Sequence, residues 1–356
     1  MSSSPKISLP EVSTADAAAY QRFLGAFRQY WAGPLFQALR RQIDTELVND
    51  PAAKSDFDAL LERHPTHQYF AWLERHVQRL KYSGRWGVVA VVEANRLAEE
   101  ETARHTLPEG LLTLDPALQA PDYYRECDIH QHPGGLWNDS VAAGLIYRGS
   151  AGQPGGVVGV PELHRKYARI VLDGKKPRNI VDLGCAFGRG TEAFALEAPD
   201  ANVVGVDLSE GCLRLAADRL PREMRGRVSY RQADARAVPL PEGSFDVVSS
   251  AMLLHELPEK AIIELTAEMY RLLAPGGIAV HLDFLPPADP LLRAAFMGHS
   301  RRNNEPFMAG LGKIDFRAAY QQAGFRDVEI IPFEEREGAS QSTNWRLPWT
   351  IFRARK

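Results

Sequence analysis

The sequence predicts an α/β fold, a doubly wound, mostly parallel sheet with its last strand reversed, preceded by a mostly helical N-terminal part. Three observations predict it. From residue 161 onward short apolar runs alternate with amphipathic stretches, and parallel strands need long crossovers that are usually helical. The final two runs are joined by a polar loop instead of a helix, which marks an antiparallel ending. Before residue 107 the apolar residues recur at spacings of three and four, the period of a helix.

A chain of 356 residues exceeds what one hydrophobic core usually organises. The expected division is a helical domain over 1–106, a connecting or lid region over 107–160, and an α/β domain over 161–356. Ser13-Thr14 with Asp16 can cap a first helix carrying Tyr20, Phe23, Leu24, Phe27, Tyr30 and Trp31 on one face. Similar patterns cover 57–61, 69–80 and 88–97, with breaks at Pro51, Pro65 and Ser83-Gly84. Prolines and glycines then interrupt any long period as far as residue 160. A helix over 162–172 precedes buried-strand patterns at 179–183, 202–206, 228–231, 245–251 and 278–282. Helices over 191–196, 210–220 and 259–273 separate most of them. A helix over 314–323 and strands over 328–333 and 349–353 close the chain.

Composition excludes several classes. Hydrophobic residues at 45% and charged residues at 24% are globular values. A net charge of -3 offers no global attraction to phosphate backbones, so no nucleic-acid partner is expected. Cys127, Cys185 and Cys212 are too scattered for a disulfide framework or a paired-cysteine zinc site. The first residues lack the apolar core of a signal peptide, and no apolar stretch is long enough for a bilayer. The expectation is a cytoplasmic protein without membrane contact.

A strand runs into the turn Asp182-Leu183-Gly184-Cys185-Ala186-Phe187-Gly188, whose glycines permit close backbone approach to a ligand. Asp207 ends the next strand, where a carboxylate can accept from ribose hydroxyls. Asp234 follows the third strand, in reach of an adenine amino group, and Pro275-Gly276-Gly277 precedes the fifth. In this order these features resemble the class I S-adenosylmethionine-dependent methyltransferases, in particular the small-molecule branch related to ubiquinone/menaquinone-biosynthesis methyltransferases. The resemblance covers roughly residues 160–356 and implies a Rossmann-like sheet of seven strands with a reversed last strand. It implies S-adenosylmethionine as cofactor, held by Asp182, Gly184, Cys185, Ala186 and Gly188, by Asp207 and Leu208, by Asp234 and Ala235, and by Met252. Ala186 replaces the usual middle glycine, which is tolerable if φ stays negative there.

Methyl transfer is an in-line displacement, so the protein's main task is alignment and exclusion of water. An acceptor that must lose a proton also needs a base, and His255, in Met252-Leu253-Leu254-His255-Glu256, is the candidate. No Asn/Asp-Pro-Pro-Tyr/Phe turn for nucleic-acid bases follows the fourth strand. Asp128, His130 and His132 alternate as ligands on an extended strand would, and His281-Leu282-Asp283 repeats the alternation. No contiguous zinc motif accompanies them, so the sequence assigns no metal; His130 and His132 join His255 as catalytic candidates. Tyr123, Tyr124 and Trp137 are expected pocket walls, and His299 and Arg301 fall in the region expected to cover the acceptor.

The resulting expectation is methylation of a small-molecule acceptor, with oxygen slightly favoured through His255. The alternative is nitrogen or carbon methylation of a metabolite at a His/Asp site. A non-catalytic cofactor-binding protein and a nicotinamide-dependent dehydrogenase are further alternatives. A homodimer through the helical part is a possible assembly.

Overall fold

A computed structural model describes residues 15–93, 107–132 and 160–356. The eight-stranded sheet has the order β1-β4-β3-β2-β5-β6-β8-β7. Its strands are β1 Leu112–Thr113, β2 Asn179–Leu183, β3 Asn202–Asp207, β4 Val228–Gln232, β5 Phe245–Ala251, β6 Leu273–Phe284, β7 Arg326–Pro332 and β8 Trp349–Arg355. Every pairing from β1 to β6 is parallel, while β8 runs antiparallel to both β6 and β7. The reversed last strand is therefore as expected, inserted between β6 and β7. The eighth strand, β1, was not foreseen: two residues of the connecting region are too short to show a period.

The N-terminal helices are α1 Ala15–Tyr30, α2 Phe36–Asn49, α3 Phe57–Arg63, α4 Pro65–Tyr82 and α5 Val88–Glu93. A π-turn over Trp31–Leu35 joins α1 to α2 and contains Pro34, whose missing N–H an extra-wide turn accommodates. Of the apolar face expected on α1, Leu24 is buried, whereas Phe23 and Tyr30 are exposed. The proposed cap at Ser13-Thr14 and the end of the 88–97 helix lie outside the described residues.

The crossover helices are α7 Glu162–Leu172, α8 Arg189–Glu197, α9 Glu210–Arg219 and α10 Glu259–Leu272, after a single turn, α6 Asp122–Arg125. Helices α11 Pro290–Arg302 and α12 Phe316–Gln322 follow. One sheet face packs Tyr167, Phe194 and Leu213 in a common cluster with Ile180 and Val247. The other face joins Val181 and Val248 to Leu265, Met269 and Tyr320. Tyr167 reaches through to the sheet, its hydroxyl donating to the Val280 carbonyl at 3.0 Å and lying 2.9 Å from Ser249 Oγ. Alternate strand residues thus supply both faces, the pattern of a buried parallel sheet.

The helical part docks on this body through a third cluster. Trp31, Phe36, Leu39 and Phe70 pack with Phe284, Phe296, Met308 and Trp345. Polar ties flank it: Arg40 pairs with Asp289 at 2.8 Å, and Glu74 of α4 pairs with Arg302 and accepts from His299 Nδ1 at 2.6 Å. None of the described helices is long and apolar enough to cross a membrane.

Candidate functional site

A cavity of about 510 Å³ opens at the carboxyl ends of β2 to β5, where open α/β sheets bind ligands. Strand residues and the loops after them form its floor. Arg28, Gln78, Lys81 and Tyr82 from the helical part and Tyr123, Tyr124 and His130 from the connecting region form its roof. Tyr123 and Tyr124 are thus pocket walls as expected; Trp137 lies outside the described residues.

Of the expected turn residues, Asp182, Gly184, Cys185 and Ala186 line the cavity, as do Asp207, Leu208, Asp234, Ala235 and Met252. Gly188 does not. It caps α8 with φ 87°, and a Cβ there would meet Tyr230 Oη at 2.6 Å, so it shapes the turn from behind. Ala186 departs from expectation, because its φ is +45°. A left-handed alanine costs roughly 1–2 kcal/mol. Its N–H compensates by donating to Asp207 Oδ2 at 2.8 Å, which locks the turn to the end of β3.

Asp207 also accepts the Ser209 N–H at 2.8 Å. Asp182 accepts from the Thr191 hydroxyl at 2.8 Å. Among the described residues neither acid has a cationic partner. Burial lifts the carboxyl of Asp182 to about 7, against the Thr191 hydroxyl, with Asp207 adding to the rise. Burial likewise lifts Asp207 to about 6 against its backbone donors. A buried and a half-buried acid, with no counter-cation among the described residues, suit a ligand that brings its own positive charge and hydroxyl donors. Asp234 is differently placed, since Arg236 holds it at 2.6 Å and also reaches Glu264.

The far end of the cavity is a corner of histidines and carboxylates. The expectation that Asp128, His130 and His132 share one strand face fails here. Residues Ile129–Gln131 form a tight turn with φ of 57° at His130 and 54° at Gln131. His130 therefore enters the cavity and Asp128 is exposed. His132 is fully buried outside the cavity, edge-on to Tyr82 at 5.6 Å. Gln78 of α4 fixes the turn by donating to the His130 carbonyl at 2.7 Å.

His130 Nδ1 lies 3.0 Å from Glu305 Oε1, and its Nε2 lies 3.1 Å from Glu256 Oε1. Burial opposes a charge on this ring, but the two carboxylates outweigh it and raise the pKa to about 10. Burial also opposes charging of Glu305, yet His130 and His299 hold its carboxyl down at about 2.

His255 sits on the short turn after β5, and its Nδ1 is 2.8 Å from Asp283 Oδ1. Asp283 is fully buried and also accepts the Leu254 N–H at 2.7 Å, so it fixes both the turn and the ring. Burial disfavours the charged imidazole, but Asp283 more than offsets this and the pKa is raised. His281 does not face the cavity. It is buried 2.5 Å from Ser250 Oγ, and burial depresses it to about 4. His299 lines the cavity, whereas Arg301 is exposed.

Sequence reasoning missed Glu305, Gln78, Lys81 and the anchoring role of Asp283. The first three come from elements distant in the chain, with no local motif.

A glycine-bearing turn and acids at successive strand ends, without a cationic partner among the described residues, define a nucleoside-binding α/β protein. The methyltransferase domain family matches residues 180–277. The chain is 39% identical to the demethylmenaquinone methyltransferase of Thermus thermophilus over 48% of its own length and 74% of that protein. It is 35% identical to a ubiquinone/menaquinone biosynthesis C-methyltransferase of Ectopseudomonas mendocina, over 39% of this chain and 55% of that one. It thus spans only about half the length of the latter. Among solved structures, phosphoethanolamine N-methyltransferase 2 of Haemonchus contortus with S-adenosyl-L-methionine aligns at 21% identity and TM-score 0.41, over 54% and 52% of the two chains. The chain belongs to the class I S-adenosylmethionine-dependent methyltransferases. Its cofactor is S-adenosylmethionine.

Proposed function

We propose that the protein methylates a small hydroxylated acceptor, of phenol or enol type, bound between the helical part and the strand ends. One observation carries this reading: a single cavity joins the acids Asp182, Asp207 and Asp234 to the corner of His130, His255 and Glu256. A donor on the acids would place its methyl group toward that corner.

S-adenosylmethionine, when bound, supplies an electrophilic methyl group on a positively charged sulfur. The chain's part is alignment. Asp207 accepts from ribose hydroxyls, Asp182 faces the donor's positive end, and Asp234 with Ala235 borders the base. Tyr123 and Tyr124 wall the acceptor side, Met252 borders the donor's sulfur, and together they exclude water. His255, oriented by Asp283, faces the acceptor hydroxyl, and His130, held between Glu305 and Glu256, lines the same wall. His132, outside the cavity, braces the turn that carries His130. In the transfer the hydroxyl proton passes to solvent, the acceptor's electron pair forms the bond to the methyl carbon, and the carbon–sulfur bond breaks with its pair left on sulfur; after attack at a ring carbon that carbon releases its proton and the oxygen regains one.

An ionised phenol or enol is nucleophilic at oxygen and at the adjacent carbon. Methylation at carbon is the reading the relatives support, since one of them is named a C-methyltransferase. Methylation at oxygen is the second reading, favoured by the Asp283–His255 pair facing the cavity. Incubation with methyl-labelled cofactor and a panel of hydroquinones and enols, followed by NMR of the products, separates the two. Absence of transfer to every hydroxylated acceptor, with transfer to amines instead, would sink the proposal.

A further inference from the structure

The corner beyond the cofactor acids has the arrangement of a metal site. One ring nitrogen each of His130 and His255 and a carboxylate oxygen of Glu256 lie within 4.8 Å of one another, and all three residues line the cavity; Glu256 Oε1 is 3.1 Å from His130 Nε2 and 3.9 Å from His255 Nε2. The rings come from different parts of the chain, one from the connecting region and one from the turn after β5, and their centroids are 5.9 Å apart.

What distinguishes this group from a chance cluster is what stands behind each ligand. His130 presents Nδ1 to the buried Glu305 at 3.0 Å. His255 presents Nδ1 to the buried Asp283 at 2.8 Å. Each imidazole is thereby fixed with Nε2 pointing inward, and Tyr124 Oη donates to the other oxygen of Glu256 at 3.3 Å. Carboxylates behind ligating histidines are the usual supporting shell of a protein-bound metal, setting tautomer and ring orientation. The left-handed backbone at His130 adds a further sign, since strained non-glycine residues gather at functional positions.

We propose that His130, His255 and Glu256 bind one first-row divalent transition cation, such as Zn²⁺, Mn²⁺ or Fe²⁺. Two imidazoles and one carboxylate select such ions over Mg²⁺ and Ca²⁺, which prefer all-oxygen sites. Three protein ligands leave coordination positions toward the cavity. Those positions suit a hydroxyl oxygen of the acceptor, or two oxygens on neighbouring carbons, held beside the methyl donor. A hydroxyl on such a cation is more acidic than in water, so the nucleophile forms at neutral pH with its proton passing to solvent. This role rests on the function proposed above; cation binding itself does not.

The test is titration of untagged, chelator-dialysed protein with Co²⁺ followed by visible absorption, and with Zn²⁺ followed by calorimetry and elemental analysis. One equivalent per chain is expected. Binding is weakened at least about 100-fold in His130→Ala and Glu256→Gln, and about 10-fold in Glu305→Gln, which keeps the ligands but loosens one ring. The His76→Ala variant, changed at a half-buried residue outside the cavity, binds as the parent does. S-adenosylmethionine titrated into every variant reports that the fold is intact. Less than a tenth of an equivalent bound at millimolar cation, or binding indifferent to His130 and Glu256, overturns the site and leaves an imidazolium between two carboxylates. Cofactor binding without cation binding defeats this inference alone; cation binding without cofactor binding defeats the functional reading instead.

Discussion

At the scale of single residues, Ala186 and the two unpaired acids matter most. The sequence permits alanine in the turn if its φ stays negative; in the structure φ is +45°. Ala186→Gly is therefore expected to stabilise the protein by about 0.5 kcal/mol, the left-handed strain relieved less the extra chain entropy of glycine. Urea unfolding of the two proteins measures this, and a destabilised variant would contradict it. Asp182 and Asp207 are raised to about 7 and about 6 by burial. A raised acid favours the neutral form in the fold, so its contribution to stability is present at low pH and lost as pH rises through the folded value. The cofactor wants the ionised forms. Its affinity should accordingly fall as pH drops from about 8 to about 5, and calorimetry across that range checks it. In the same logic Asp182→Asn raises the melting temperature of the cofactor-free protein at pH 8 while weakening cofactor binding at least tenfold. A variant both less stable and still binding would refute the assignment.

At the scale of elements, the strands were legible where both faces are buried. The runs at β2, β3, β4 and β5 match their predicted spans within a residue, because apolar continuity in β2, β3 and β5 and the alternation of Val228 and Tyr230 in β4 are themselves the signal. β6 extends from Leu273 to Phe284, well beyond the predicted 278–282. Pro275-Gly276-Gly277 falls inside it, and the ladder with β5 shifts there from Phe245↔Leu273 to Val247↔Ile278. The turn signal was real, but it marks an irregularity within a pairing instead of a boundary. The π-turn around Pro34 left no readable signal, since proline ordinarily ends a helix. Gly188 connects turn to helix, and its Cβ-free face meets Tyr230. Gly188→Ala should cost about 1–3 kcal/mol and weaken the cofactor site with it. Thermal melts with and without S-adenosylmethionine distinguish this from a surface change, which would leave both unchanged.

At the scale of the whole molecule, the acids near the strand ends and the residues His130 and His255 were legible, while the contacts that bring the two histidines together were not. Asp182, Asp207 and Asp234 lie at or within two residues of the ends of the adjacent strands β2, β3 and β4, so order along the chain reproduces order in space. Glu305, Asp283 and Gln78 meet His130 and His255 across separations that no spacing rule covers, and the expected strand face for His130 and His132 dissolved into a tight turn. A division near residues 106 and 160 remains a proposal. The cluster joining Trp31, Phe36 and Phe70 to Phe296 and Trp345 predicts that the first and last parts unfold together. Calorimetry should show one transition, lowered as a whole by Phe296→Ala, which costs about 3–5 kcal/mol. Two transitions, with one unmoved, would favour independent domains. The central claim, a methyl-donor site built on strand-end acids, is tested most directly by calorimetric titration with S-adenosylmethionine at pH 8. One molecule should bind per chain in the parent protein, and Asp207→Ala should abolish most of that binding. No heat at millimolar cofactor, or equal binding in the Asp207→Ala variant, would contradict it.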